Sequence, residues 1–169
     1  PLYSSAASDV YKRQGYGRPI NENDNSWESS DTLQGGFWKG GKHWSEVLAD
    51  DAINLIEDSK KIDDPFFMYL AFNAPHDPRQ APKRFLEMYP INQIKLPPNY
   101  SPQHPFWKEI GNEPGVRDEA LAPYPRSEYA VKKHIQEYYA VISHLDEQVG
   151  KIVSHLETQN MLDLSLIHI

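Results

Sequence analysis

The residues best suited to chemistry lie in a short polar corner, Asn73-Ala74-Pro75-His76-Asp77-Pro78-Arg79. An imidazole titrates near neutral pH, so His76 can hydrogen-bond an anionic oxygen or move a proton. Pro75 and Pro78 flank it, and proline restricts the backbone on either side, so the ring is expected to stay aimed. Asp77 and Arg79 are the neighbouring candidates for substrate contact. Lys83 is expected to cap or solvate a short helix instead. The other reading of His76 is structural, with its ring nitrogens satisfied by loop carbonyls.

A corner of this kind needs an element to present it. Phe66 to Phe72 is an unbroken apolar run, rich in aromatics and too short for an ordinary helix. It predicts a strand buried on both faces, as in a parallel sheet. Ligands of open α/β sheets bind beyond the carboxyl ends of such strands, which is where His76 falls. Before the run, Ser45 reads as an N-cap and Glu46 suits a first turn. Val47, Leu48, Ala52, Ile53, Leu55 and Ile56 then recur at helical spacing up to about Ser59, where Lys60 and Lys61 complement the helix dipole. Helix, polar turn and buried strand make half of a βαβ unit, so the fold class expected is α/β with a mostly parallel sheet.

Beyond the corner, Ala81 to Tyr89 predicts a short helix begun at Pro82. Prolines at 90, 97, 98, 102, 105, 114, 123 and 125 make the next stretch a long ordered loop, read as the wall or lid of a site. His104, Trp107, Arg117, Asp118, Glu119 and Arg126 lie in or beside it. They are candidates for selecting the alcohol or sugar part of a substrate, with an Arg–carboxylate pair locking the loop as the equal alternative. Ser127 caps a last helix whose apolar face is expected to include Ile135, Tyr138, Tyr139, Ile142, Leu145, Val149, Ile152 and Leu156. Lys132, Lys133, Gln136, Glu137, Asp146, Glu147 and Lys151 are expected toward solvent. His134, His144 and His155 are assigned structural or solvent roles. Asp50, Asp51 and Asp58 read as a solvated helix face rather than metal ligands.

The two ends stand apart. Leu164 to Ile169 can be encoded by a DNA string whose reverse complement encodes Asp9 to Gln14, an inverted repeat that resembles a transposon end used as a sequencing adapter. Residues 1–14 and 164–169 are therefore expected to be adapter translation, with 15–163 the native piece. The formal charge is −7, and without Asp9, Lys12 and Arg13 the native part is about one unit more negative. That balance argues against a nucleic-acid surface. No apolar run approaches a membrane-spanning length. The chain has no cysteine, which excludes disulfides and thiolate metal sites within it.

Two blocks in order carry a family resemblance. Pro65-Phe66-Phe67-Met68-Tyr69-Leu70-Ala71-Phe72, Ala74-Pro75-His76-Asp77-Pro78, Ala81-Pro82-Lys83-Arg84-Phe85 and Tyr89-Pro90 resemble the middle of the type I sulfatases, most of all choline-sulfatase-like and iduronate-sulfatase-like bacterial members. Tyr138-Tyr139-Ala140-Val141-Ile142, Leu145-Asp146, Val149-Gly150-Lys151-Ile152 and Leu156 resemble the helix that in this family precedes a strand bearing metal ligands. The resemblance implies an internal fragment of an alkaline-phosphatase-like αβα sandwich that hydrolyses a sulfate ester of an alcohol or sugar. In such enzymes a Cys or Ser oxidised to formylglycine attacks sulfur, while calcium and basic residues hold the sulfate. His76 matches the family histidine that contacts the sulfate or the bridging oxygen. The chain departs from the pattern in lacking the Cys/Ser-x-Pro-x-Arg run and the metal-binding aspartates, so it carries no metal ligand and is expected to be inactive alone. A periplasmic or secreted location follows from the same resemblance. Gly41-Lys42-His43-Trp44 resembles the family's Gly-Lys-Trp-His segment with the order changed, and His43 is read instead as a surface residue before the helix. A phosphodiesterase or phosphonate monoester hydrolase of the same superfamily, or a non-catalytic sulfatase-like binding protein, are the alternatives.

Overall fold

The computed structural model describes residues 19–33, 35–77, 79–111 and 122–167. The first regular element among the described residues is an antiparallel hairpin of two-residue strands, β1 (Phe37–Trp38) against β2 (Lys42–His43), with Phe37 opposite His43. Its reversal passes through Gly40 and Gly41 at φ 74° and 82°, values that glycine adopts without a steric cost. Three α-helices follow among the described residues: α1 (Trp44–Ser59), α2 (Lys83–Glu87) and α3 (Glu128–Thr158). Both α1 and α2 pack on α3.

Helix α1 begins two residues earlier than its sequence suggests. The cap is His43, whose Nδ1 accepts the Ser45 N–H at 3.1 Å. Val47, Ala49, Ala52 and Ile56 turn inward, whereas Leu55 is exposed. At the far end Lys60 pairs with Glu57 at 3.0 Å and Lys61 with Asp58 at 2.6 Å. Asp50 similarly meets Lys42 at 2.6 Å, so the acidic side of α1 is engaged in surface pairs.

Helix α3 has 31 residues, which makes it about 46 Å long at 1.5 Å per residue. Ser127 caps it as expected: Oγ accepts the Ala130 N–H at 3.1 Å and donates to the Ile20 carbonyl at 2.7 Å. The inward face differs from the expected one. Tyr138, Tyr139 and Ile142 are exposed, while Glu137, Ala140, Val141, His144 and Gln148 are buried. Burial of Glu137 is tolerated because its Oε1 accepts the Trp27 indole N–H at 2.7 Å and the Ser29 hydroxyl at 2.5 Å. Those bonds also hold the segment before the hairpin to α3.

Two apolar clusters form the core. One joins Ala49, Ala52 and Ile56 of α1 to Ile152 and Leu156 of α3. The other joins Ala81, Phe85 and Leu86 to Ala140 and Val141. Each large aliphatic side chain so buried contributes about 1.5–3 kcal/mol.

The expected parallel sheet is not formed among the described residues, which are mostly helical. Phe66 to Phe72 has no strand partner; ladder bonds come from neighbouring strands, and none lies beside it. Period-two behaviour persists, since Met68, Leu70 and Phe72 pack on the first cluster while Phe67 and Tyr69 are 92% and 82% exposed. The run is thus covered on one face, not on both. Residues 1–14, 168 and 169, together with Arg117, Asp118 and Glu119, lie outside the described residues.

Candidate active site

The apolar run delivers the chain into a tight reversal. The His76 N–H donates to the Asn73 carbonyl at 2.9 Å, across a cis Ala74–Pro75 peptide. Ala74 packs against the second core cluster, so the reversal is seated from below. The His76 side is exposed. Its Nδ1 lies 3.1 Å from the Asp77 carbonyl. A carbonyl only accepts, so Nδ1 carries the proton and Nε2 is the acceptor nitrogen of the neutral ring. Pro78 lies outside the described residues.

Asp77 and Arg79 are both on this reversal and face each other. Arg79 Nε is 3.0 Å from Asp77 Oδ1, with both side chains less than a fifth exposed. Arg79 also reaches α3, where its Nη2 is 2.7 Å from His134 Nδ1. A guanidinium has no acceptor, so the arginine donates and His134 accepts. The sequence gives His134 a structural or solvent role and no place in the site. The signal lay in its register, because His134, Glu137, Val141, His144 and Gln148 step by three and four along the side of α3 that meets the rest of the chain.

Gln80, next in the chain, is fully buried. Its Oε1 accepts the Gly36 N–H at 2.8 Å, and its Nε2 donates to the carbonyls of Asp31 at 3.1 Å and Glu28 at 3.3 Å. A β-carbon on Gly36 would come within 2.7 Å of Gln80 Cβ, so only glycine fits there without displacement. The backbone carbonyl of Gln80 meets His43 Nε2 at 2.9 Å. His43 is therefore not a surface residue: the hairpin folds it inward opposite Phe37, and it is 3% exposed. Its ring meets His144 edge to face at 4.5 Å, and Phe85 closes the other side of His144 at 5.0 Å. Burial holds His43 down to about 4 against the pull of its bond to Gln80. Burial, with the neighbouring His43, holds His144 down to about 3. Burial thus favours the neutral form of both rings.

The sulfatase family model matches residues 2–169. The chain belongs to the sulfatase family. It is 29% identical to mouse iduronate 2-sulfatase over 99% of this chain and 34% of that protein. Human iduronate 2-sulfatase is 30% identical over 70% of this chain and 23% of its own length. A sulfatase of Formosa agariphila is 27% identical over 92% of the chain and 34% of that protein. The chain thus spans about a third or less of the curated relatives it matches.

Within this sulfatase segment the Pro-rich stretch encloses a cavity of about 180 Å³ bordered by His104, Trp107, Tyr124 and Arg126. Arg126 Nη1 donates to the Pro123 carbonyl at 3.1 Å, and its guanidinium lies 5.5 Å from the Tyr124 ring. A larger hollow of about 610 Å³ lies between α1 and α3, beside Ile53, Gly150 and Lys151, and none of the candidate site residues borders it. Calcium takes about six to eight oxygen ligands. The carboxylate on the His76 reversal is already paired with Arg79, and among the described residues no group of three or more His, Asp or Glu side chains is arranged to hold a metal. The described residues do not fit a calcium site. Its sequence also has no Cys/Ser-x-Pro-x-Arg run from which formylglycine is made. Among the described residues no helix is long and apolar enough to cross a membrane.

Proposed function

We propose that this chain supplies one wall of a sulfatase active site, in which His76 meets the sulfate or the bridging oxygen of an alcohol or sugar sulfate. In this reading residues 15–163 are an internal part of the catalytic domain, and the extended run ending at Phe72 is a strand of a mostly parallel sheet completed by other parts of a longer enzyme. Residues 1–14 and 164–169 are read as adapter translation. Calcium and formylglycine are contributed from outside the segment.

One observation carries the proposal: the His76 imidazole is exposed at the end of a packed apolar run, on a reversal closed by its own backbone, in a chain of this family. Charge redistributes over the sulfate oxygens as the ester bond breaks, and a donor held in place stabilises that charge without reorganising. Nδ1–H is aimed back at the Asp77 carbonyl, and Nε2 is the nitrogen assigned to substrate in this reading. Protonated, Nε2 can donate to the leaving oxygen. Asp77 and Arg79 add a local charge pair in which the guanidinium has further N–H groups to offer an anion.

The test uses the full-length enzyme with an aryl sulfate and a phosphate diester as substrates. His76→Ala is expected to lower kcat/KM for the sulfate about 10²- to 10⁴-fold with the unfolding midpoint unchanged. Near-normal turnover of the sulfate by the variant, or a wild type that prefers the diester, contradicts the proposal.

A further inference from the structure

We infer that His134, on α3 and 55 residues downstream of Arg79, is a positioning residue that ties the His76 reversal to the long helix. The inference rests on the proposed role of His76 for its effect on rate, but not for its structural content.

The connection can be followed atom by atom. His134 Nδ1 accepts from Arg79 Nη2 at 2.7 Å, Arg79 Nε lies 3.0 Å from Asp77 Oδ1, and the Asp77 carbonyl lies 3.1 Å from His76 Nδ1. The middle pair is shielded, with side chains 18% and 15% exposed, so its geometry is less diluted by water than that of an open surface pair. Arg79 has four rotatable side-chain bonds and would otherwise sample many directions. Fixing its Nη2 to a helix removes that freedom. Helix α3 is a firm support because its cap and its buried Val141, His144 and Gln148 anchor it on either side of the contact. The reversal itself has a backbone bond from His76 to Asn73 and the seat beneath Ala74, yet nothing in those two contacts directs the Asp77 and Arg79 side chains. His134 supplies that direction. A displacement on the order of 1 Å at a reacting group costs about a hundredfold in rate, so a residue that never touches substrate can govern turnover here.

The acceptor atom is the part that matters, and this separates positioning from mere bulk. Asparagine places its Oδ1 close to where the histidine Nδ1 sits; leucine fills similar space and accepts nothing. In the full-length enzyme we expect His134→Leu to lower kcat/KM about ten- to a hundredfold, mostly in kcat, and to raise amide hydrogen exchange in the peptide covering residues 73–80. His134→Asn is expected to restore both to within about threefold of wild type. His134→Ala serves as a second acceptor-free variant should the leucine protein fail to fold.

Unchanged exchange and turnover in the acceptor-free variants would overturn the inference, and so would an asparagine variant as impaired as the leucine one. The two proposals fail differently. If His76→Ala is harmless while His134→Leu still loosens residues 73–80, the anchor stands and the function assigned to His76 falls. If His76→Ala abolishes turnover while His134→Leu changes neither readout, the anchor falls alone.

Discussion

The His76 reversal and the His43–His144 contact use the same side chain in opposite surroundings. At the reversal the imidazole is exposed, one ring nitrogen faces a carbonyl, and the backbone rather than packing sets its direction. In the contact both rings are nearly inaccessible, His43 is saturated by the Ser45 N–H and the Gln80 carbonyl, and His144 packs between His43 and Phe85. Burial disfavours the charged form of the two rings in the contact. Aiming a ring and burying it are separate tasks, performed here by separate parts of the chain. Gln80 stands between them, four residues after His76, and its carbonyl holds His43.

The comparison can be broken hardest at Gln80. Gln80→Ala strips partners from the Gly36 N–H and from the Glu28 and Asp31 carbonyls, which are bonded to the buried amide. Leaving such groups unpaired is expected to cost about 3 kcal/mol or more, measured by urea unfolding of the full-length protein. A loss below about 1 kcal/mol would show that water replaces the amide easily.

Acid sharpens the same contrast. The folded-state values of His43 and His144, about 4 and about 3, lie below the ordinary 6.5. The folded state therefore binds fewer protons than the unfolded one. Their contribution to stability is complete above pH 6.5 and is lost as pH falls through that value toward 4 and 3. At pH 4.5 the loss is on the order of 2 kcal/mol per histidine. Lys151 and Arg84 face His144 with the same sign as a proton on it, and Glu147 opposes them. His144→Phe is expected to flatten the pH dependence of the urea midpoint by about half between pH 6.5 and 4.5; an unchanged slope would mean that the ring titrates normally.

Smallest is the surface pair between α2 and α3. Arg84 meets both oxygens of Glu147, at 2.7 and 2.6 Å. The guanidinium holds the Glu147 carboxyl down at about 2, so the pair is intact above the ordinary carboxylate value and is lost as pH falls from 4.5 toward 2. Arg84 is 61% exposed, and solvent screening limits Arg84→Ala to about 1 kcal/mol or less, read from the urea midpoint at pH 7 and in high salt.

Much of this was legible in the chain. The Ser127 cap, the C-terminal ends of both long helices, and the break before α2 follow from local rules, and residue types alone mark the Pro-bounded corner around His76 as the candidate site. Pro82 proved to be the residue before α2 rather than its first. What local rules could not supply was the partner of each element. The run from Phe66 to Phe72 has the composition of a two-sided strand, but a ladder depends on neighbours far away in sequence. Glu137 reads as a solvent residue because nothing nearby announces that Trp27 and Ser29 will meet it, 110 and 108 positions away. His43 departs from its surface reading for a similar reason: the reversal at Gly40 and Gly41 folds it inward. The link from Arg79 to His134 is long-range as well, visible only as a shared register on α3.

The most direct measurement of the central claim is made on one preparation of the full-length His76→Ala enzyme, reading kcat/KM for a sulfate ester beside the urea midpoint. Turnover is expected to fall by at least about a hundredfold with the midpoint unmoved. A midpoint that falls while turnover per folded molecule holds would make His76 a structural histidine and contradict the account.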